Sequence, residues 1–419
     1  MIFQKGVLYV KGKLWLLIVV VMTSLMLAGC SDSSSSEGDK NTVTVWAMGE
    51  EGKKLKQFSK DFEEKNEGLT VDVQAIPWDT AHDKLLTAVA SGNGPDVVQL
   101  GTTWVPEFAD AGALLDLSEY MQDYPNFAKE NYFDGSVTTM EHDDEIVGIP
   151  WYADTRVIYY RKDILKESGY EEAPKTWDEL KEAAQTLADR GEDMYGLDID
   201  RNDQITPFIF AWQNGYEADL EEGNLNFDSP EFKEAMQYYT SYFEEGISQK
   251  QEGKDIVEAF KEGSKPMFFS GPWMINIIND QAPDLEGKWA TAVMPTKETN
   301  TSSMGGANLS IFESSDNVEG ALKFISYMTD VDTQLSWLEE SNTLPSRTEA
   351  WEDPVMQEDP MYATFGEQLE NTKPGLQTEQ FERIAQELLA HIERITVGGA
   401  DVEKELEEFN QEAQSLIEE

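Results

Sequence analysis

The chain has 419 residues, and its 81 aspartates and glutamates outnumber its 32 lysines and arginines to give a formal charge of −49. Such a polyanion repels phosphate backbones, which excludes a nucleic-acid-binding protein, and 40% apolar residues with 11% aromatics exclude disorder along the whole chain. One cysteine excludes an intramolecular disulfide, and the three histidines lie far apart without metal-ligand spacing. The length predicts two or more domains. We expect the protein to need no cofactor and no metal.

Residues 1–29 have the pattern of a bacterial secretory signal. Three lysines precede an apolar run over residues 14–27, which is short for a membrane span of about 20 residues. The run ends in Leu27-Ala28-Gly29-Cys30, which resembles the lipobox of bacterial lipoproteins. Cys30 is therefore predicted to carry acyl chains, such as palmitate, that hold the protein on the outer face of the cell membrane. The alternative is an ordinary secretory signal with an incidental cysteine.

Residues 30–42 are rich in serine and charge and are predicted to form a flexible tether. The following residues alternate strand and helix patterns, which predicts an α/β fold. A first set has strands at 43–46, 71–73 and 97–100, with helices over 53–64 and 83–90 between them. Short strands joined by helices are expected to pair in parallel.

A second set of elements begins near residue 150. Strands are predicted at 157–160, 267–269 and 308–311, and helices begin at a capping box at Thr176 and at the N-cap pair Ser229-Pro230. Two amphipathic helices follow, the first with apolar residues at 381, 384, 388, 392 and 395 and the second with apolar residues at 402, 406, 409, 413 and 416.

The sequence offers no GxSxG, HExxH, Walker or GxGxxG motif, and carboxylate pairs occur by chance among 81 acidic residues. Its tryptophans are more informative. Five stand at strand ends or in loops with Gly or Pro: Trp46, Trp104, Trp151, Trp212 and Trp273. An indole at such a position could stack on the C–H face of a pyranose. Core packing is the alternative for each of them. Trp177, Trp289 and Trp337 are predicted to be packing residues.

Six segments in order resemble the bacterial extracellular solute-binding proteins of the maltose-binding-protein type, the receptors of carbohydrate ABC importers. They cover most of the chain from residue 43 to about 395 and are Ser91-Gly92-Asn93-Gly94-Pro95-Asp96-Val97-Val98, Gly148-Ile149-Pro150-Trp151-Tyr152, Tyr159-Tyr160-Arg161-Lys162-Asp163-Ile164-Leu165, Pro174-Lys175-Thr176-Trp177-Asp178-Glu179-Leu180, Gly271-Pro272-Trp273 and Gly305-Gly306-Ala307-Asn308-Leu309. Each motif is weak alone, but their shared order is specific.

The resemblance implies two discontinuous α/β lobes that hinge around a ligand cleft. It places the N-terminal lobe at 43–152 plus 298–340 and the C-terminal lobe at 153–297 plus 341–419. Crossings are expected at about 152–158, near 295–297 and between 332 and 345. It also implies a monomer that captures a carbohydrate and docks on an ABC transporter permease. Such a receptor has no catalysis of its own.

The resemblance also implies ligand contacts, residue by residue. Trp273 matches the family's stacking tryptophan, and Asp154 stands where the family places a sugar-binding carboxylate. Arg347 and Arg156 could reach hydroxyls or form salt bridges between lobes. The other implied contacts are Trp46 and Glu50 after the first strand, Thr102, Thr103 and Trp104 after the third, Trp151 and Asn308 within family segments, and Asn202, Gln204 and Trp212 near a contact loop of the second lobe. The stretch 102–104 departs from the maltose receptor's pattern, which argues against maltose itself.

Two alternatives remain open at the level of sequence. A binding protein for a polyamine would need carboxylates enclosed by aromatic rings, and one for a glycerol phosphodiester would need helix N-termini and basic residues. A secreted polysaccharide-degrading enzyme would need two carboxylates at a defined separation, which a sequence does not reveal.

Overall fold

The computed structural model describes residues 41–220, 222–251 and 253–418; the predicted signal peptide, Cys30 and most of the tether lie outside them. The strands are β1 Thr42–Met48, β2 Thr70–Ile76, β3 Val97–Gly101, β4 Glu141–His142, β5 Glu145–Ile146, β6 Ile149–Asp154, β7 Val157–Arg161, β8 Met267–Ser270, β9 Trp289–Ala292, β10 Ser302–Ser303, β11 Gly305–Ile311, β12 Leu344–Pro345 and β13 Thr372–Lys373.

The α-helices are α1 Gly49–Lys65, α2 Trp78–Ser91, α3 Val105–Asp110, α4 Asp134–Thr138, α5 Lys162–Glu167, α6 Trp177–Ala188, α7 Thr206–Gln213, α8 Pro230–Glu244, α9 Ile256–Glu262, α10 Trp273–Gln281, α11 Val318–Met328, α12 Val331–Ser341, α13 Pro354–Glu358, α14 Pro360–Leu369, α15 Phe381–Thr396 and α16 Val402–Ile417. Short 3₁₀ turns occur at Ser118–Tyr120, Pro125–Phe127, Lys129–Asn131, Pro283–Leu285 and Thr348–Glu352. The predicted α/β fold is confirmed.

A six-stranded sheet has the order β12-β6-β11-β3-β1-β2. Strand β1 pairs in parallel with β2 and β3, as predicted for short strands joined by helices. Strand β11 enters from far along the chain and runs antiparallel between β3 and β6. Gly306 has φ +109°, and a Cβ there would lie 2.1 Å from the Tyr152 carbonyl oxygen. A glycine is therefore required where β11 meets β6 beside the cleft described below.

A smaller sheet has the order β8-β7-β9, and β7 runs antiparallel to both neighbours. The parallel pairing expected of neighbouring strands thus does not extend to this sheet. Strands β8 and β9, which α10 joins, do run in the same direction, but β7 lies between them. The helix caps agree with the sequence: Thr176 accepts a hydrogen bond from the Glu179 amide and Ser229 from the Phe232 amide, each at 3.2 Å.

The chain passes between the two sheets more than once. Strands β1, β2, β3 and β6 belong to the larger sheet, β7 to β9 belong to the smaller one, and β11 and β12 return to the larger. The first passage is the pair Thr155-Arg156, inside the predicted crossing. Strand β12 still pairs with β6 at residues 344–345. The exact lobe boundaries remain a prediction.

Buried side chains form separate clusters against the two sheets. The C-terminal pattern is confirmed, because the predicted apolar positions of α15 and residues 406, 409 and 413 of α16 are buried. None of the helices among the described residues is both long enough and apolar enough to cross a bilayer.

Candidate ligand-binding cleft

An open cleft of about 730 Å³ adjoins a second cavity of about 300 Å³, and the two share wall residues. One wall comes from the ends of β1, β2 and β6, where the chain leaves the larger sheet, and the facing wall comes from α10, which follows β8 of the smaller sheet. Residues that line both cavities are Glu51, Trp78, Trp273, Ser341 and Asn342. Ligand sites commonly lie beyond the carboxyl ends of strands in such folds.

Two tryptophans dominate the cleft surface, one on each wall. Trp78 is 38% exposed and Trp273 is 40% exposed, which is unusual for so large an apolar side chain. The Trp78 ring meets Trp104 edge to face at 5.3 Å. Gly49, with φ +59°, allows this position, because a Cβ there would lie 2.7 Å from Trp78 Nε1. These contacts hold one indole while leaving part of its surface open to the cleft.

Trp273 stands at the first position of α10, with Pro272 as the N-cap. The sequence predicted that Gly271-Pro272 would turn this residue onto a loop; that part is wrong, since proline is well tolerated at a helix start. The guanidinium of Arg156 lies 4.8 Å from the Trp273 ring centroid, in cation–π geometry. One side of the indole is therefore supported by a charged group of the passage between the sheets.

Arg156 bridges two carboxylates. Its Nη1 lies 3.2 Å from Asp154 Oδ1, and its Nε donates to Asp203 Oδ2 at 2.9 Å. Burial raises the pKa of Asp154, and Arg156 opposes that rise. Burial alone would lower the pKa of Arg156, but Asp203 and Asp154 together raise it. Arg156 thus forms two salt bridges, and its predicted role between the lobes stays a prediction.

Glu51 supplies a carboxylate to both cavities. Burial raises its pKa, and the charge of Asp154 adds to the rise. Carboxylate and amide groups beside flat indole faces offer acceptors for hydroxyl groups and apolar surface for C–H faces. This combination suits a neutral, polyhydroxylated ring.

Three of the sequence-predicted residues lie at the cleft. Trp273 lines both cavities, Asp154 lines the smaller one and Glu50 lines the larger one, where it forms an ion pair with Lys53. Their roles in binding remain predictions. Trp78, Glu51 and Asn342 line both cavities but were missed from sequence; the one available signal was that Trp78 directly follows Pro77 after a strand, at a helix start.

Other predicted residues lie beside the cleft. Trp46 is on β1, where the Lys84 ammonium lies 4.2 Å from its ring centroid. Thr102 is buried, and its backbone N–H donates to the Gly306 carbonyl at 3.3 Å. Thr103 and Trp104 are half-buried, and Trp104 lies behind Trp78. These residues are outside the walls of both cavities.

Four predicted contacts are buried side chains, and their expected ligand role is replaced by packing. Trp151 is fully buried and stacks on Trp337 at 5.2 Å, and Trp212 is 4% exposed in the core of the second set of elements. Asn308 donates to the Thr139 carbonyl at 2.6 Å. Arg347 is 6% exposed and donates to the Thr329 carbonyl at 3.0 Å.

Two remaining predicted contacts lie apart from the main cleft. Asn202 lines a separate cavity of about 230 Å³. Gln204 donates to Glu382 and accepts from Gln386, each at 2.8 Å, so its amide is already engaged. Trp177, Trp289 and Trp337 are at most 3% exposed, which confirms their predicted packing role.

Comparisons with known proteins agree with this geometry. The family described as bacterial extracellular solute-binding protein matches residues 46–335. The sugar-binding protein MalE from Xanthomonas citri is 33% identical and superposes with a TM-score of 0.86, covering 90% of this chain and 97% of that chain. An ABC transporter solute-binding protein from Thermotoga lettingae, bound with α-D-tagatose, is 26% identical with a TM-score of 0.78, covering 90% of this chain and 100% of that chain.

A relative of known ligand class was found by sequence. The arabinooligosaccharide-binding protein of Halalkalibacterium halodurans is 27% identical over 316 residues, which are 71% of this chain and 68% of that protein. The relatives are binding proteins by description, and the two-lobed fold that the sequence motifs implied is confirmed.

Proposed function

We propose that this chain, which belongs to the family of bacterial extracellular solute-binding proteins, captures a sugar, most simply an oligosaccharide, and delivers it to the permease of an ABC importer. The observation that carries the proposal is the pair of half-exposed tryptophans, Trp78 and Trp273, that line one cleft together with Glu51 and Asn342. Relatives described as sugar-binding proteins support the same ligand class.

The volume of the cleft also indicates the size of the ligand. A cavity of about 730 Å³ that continues into one of about 300 Å³ exceeds the space that a single hexose ring fills. An extended ligand of two or more rings, which threads past both tryptophans, accounts for the shared wall. The hinge that closes the lobes on such a ligand is part of the proposal, with the Thr155-Arg156 passage as one of its connecting segments.

A polyamine is the second candidate, because Glu51 and Asp154 lie near two indoles. Two contacts weigh against it. The Trp273 ring already has the Arg156 guanidinium as its cationic partner, and the same guanidinium neutralises Asp154. An anionic phosphodiester is disfavoured, since Lys53 pairs with Glu50 and Lys54 donates to the Glu340 carbonyl at 2.7 Å.

Anchoring and turnover complete the proposal. Cys30 is proposed to be the lipidated residue that holds the chain on the extracellular face of the cell membrane, and the protein is proposed to act as a monomer without catalysis. A polysaccharide-degrading enzyme would release new reducing ends from an oligosaccharide; a binding protein would leave the oligosaccharide intact.

The decisive experiment is a melting-temperature screen with tagatose, maltotriose, arabinotriose, diacetylchitobiose, spermidine and glycerophosphocholine. A ligand at about 100 times its Kd adds about 2.7 kcal/mol of stability, which raises the melting temperature by several degrees. A rise with one of the sugars, and none with spermidine or the phosphodiester, supports the proposal. A rise in melting temperature with spermidine alone would mean that the ligand is a polyamine and not a sugar.

A further inference from the structure

Helices α15 and α16 meet around His391, on a part of the molecule that does not line the cleft. The His391 side chain is fully buried. Its Nδ1 lies 2.8 Å from Glu405 Oε2, and the Nε atom of Arg394 donates to the same carboxylate oxygen at 2.8 Å. Glu405 thus accepts the Nδ1–H proton and fixes the ring, which directs Nε2 toward the other side.

Two more carboxylates face Nε2. Glu412 Oε2 of α16 lies 3.2 Å from it, and Glu387 precedes His391 by one helical turn on α15. Ligand atoms of Glu387, His391 and Glu412 all lie within 4.8 Å of one another. Glu387 and Glu412 are exposed, whereas His391 is buried, and the charges of both carboxylates act on Arg394. Two exposed carboxylates, one on each helix, therefore lie close to a fixed and buried imidazole.

The spacing fits a bound cation. Ligands about 2.0–2.1 Å from a tetrahedral Zn²⁺ are separated from each other by about 3.3 Å. The 3.2 Å between His391 Nε2 and Glu412 Oε2 is close to that value. A contact of this length between the two atoms can be made by a proton on Nε2 or by an ion that both atoms bind.

We propose that Glu387, His391 and Glu412 form a binding site for a divalent transition-metal ion of the Zn²⁺ class. One imidazole nitrogen with two carboxylate oxygens favours such an ion over Ca²⁺ or Mg²⁺, which prefer oxygen ligands alone. Glu405 acts as the outer carboxylate that orients the histidine, as is common at metal sites. The ion joins α15 to α16. The expectation of no metal rested on the spacing between histidines, whereas the proposed ligand set contains a single histidine.

This site is independent of the proposed function, and its test needs no sugar. The full-length chain in detergent is treated with EDTA and then titrated with ZnCl₂ or CaCl₂ alone, by calorimetry and by melting temperature. Glu387→Gln is the informative variant, because Glu387 is exposed and this nearly isosteric change should leave the fold intact. Glu393→Gln is the matched control, since Glu393 is exposed on the same helix but outside the set.

We expect Zn²⁺ to raise the melting temperature of the wild type and of Glu393→Gln. Glu387→Gln should bind Zn²⁺ at least about tenfold more weakly, since changes to outer-shell partners alone typically cost 10- to 100-fold. A second group, Asp110, His142 and Asp143, also has ligand spacing. If the site is at His391, His142→Gln should retain the response.

Three results would overturn the site. The first is an absent Zn²⁺ response, as expected if His391 is simply a protonated ring between two carboxylates. The second is a response that Glu387→Gln shares with the wild type or that His142→Gln abolishes. The third is an equal response to CaCl₂, which would mean that cations only screen the acidic surface.

Discussion

Replacing Trp273 by alanine should weaken sugar binding more than it weakens folding. The indole is 40% exposed, and a tryptophan side chain offers up to about 250 Å². A sugar that covers the exposed part buries about 100 Å², which at about 25 cal/mol per Å² contributes about 2.5 kcal/mol. Because a ring face covers only part of that surface, we expect a loss of about 1–2.5 kcal/mol. The Kd should rise by about 5- to 70-fold.

The assay is a calorimetric titration with the sugar that gives the largest shift in the melting screen. Melting curves without sugar measure the separate effect on folding. Trp351→Ala is the matched control, because Trp351 is also a half-buried indole but lies outside the cleft, where its Nε1 donates to the Pro345 carbonyl at 3.0 Å. It should lower the melting temperature and leave the Kd unchanged.

Trp151→Ala shows the loss of stability that is expected when a tryptophan of the core is truncated. Trp151 is fully buried, so its truncation should cost about 3–5 kcal/mol of stability. If Trp273→Ala lost stability on that scale while its folded fraction bound sugar within about twofold of the wild type, then Trp273 would be a packing residue. The assignment of the cleft as the sugar site would fail with it.

Four other predictions follow from the sequence and the cleft. Trp78→Ala should weaken sugar binding by about 1–2.5 kcal/mol by the same area argument; an unchanged Kd in calorimetry would place the ligand on one wall only. Burial raises the pKa of Glu51 above its unfolded value of 4.5, so its charge destabilises the fold above the folded pKa, and this cost disappears as the pH falls below about 4.5. Glu51→Gln should therefore melt higher than the wild type at pH 7.5, with a difference that shrinks by pH 4; a difference independent of pH would contradict the assigned cause. Saturating sugar should reduce the radius of gyration in small-angle scattering, and an unchanged profile would count against closure. Cys30→Ala should leave an unacylated protein that is lost from the membrane fraction, which cell fractionation and mass spectrometry would measure. Retention in the membrane at unchanged mass would refute lipidation.

Local chemistry made much of this fold predictable. The cap at Thr176 depends only on residues three apart, and its hydrogen bond to the Glu179 amide is present. The apolar spacing of α15 likewise predicted its buried face. The direction of β7 was not predictable in this way, because its partners come from more than a hundred residues along the chain.

The cleft was predictable only in part for a similar reason. Trp151 and Trp78 both follow a proline near a strand, yet one is fully buried and the other is 38% exposed. What separates them is tertiary: Trp337 of α12 covers the first, and Gly49 leaves space beside the second. Neither neighbour is close in sequence to the residue whose exposure it decides.

The position of β11 in the larger sheet has a consequence for synthesis on the ribosome. Residues 305–311 fill the space between β3 and β6, so in a nascent chain that ends before residue 305 the edges of β3 and β6 that face this space have no neighbour. Unpaired edges are templates for pairing with other chains. Because β12 at residues 344–345 also belongs to this sheet, its completion must wait until about four fifths of the polypeptide has emerged. A factor that holds the young chain unfolded would protect those edges during that interval.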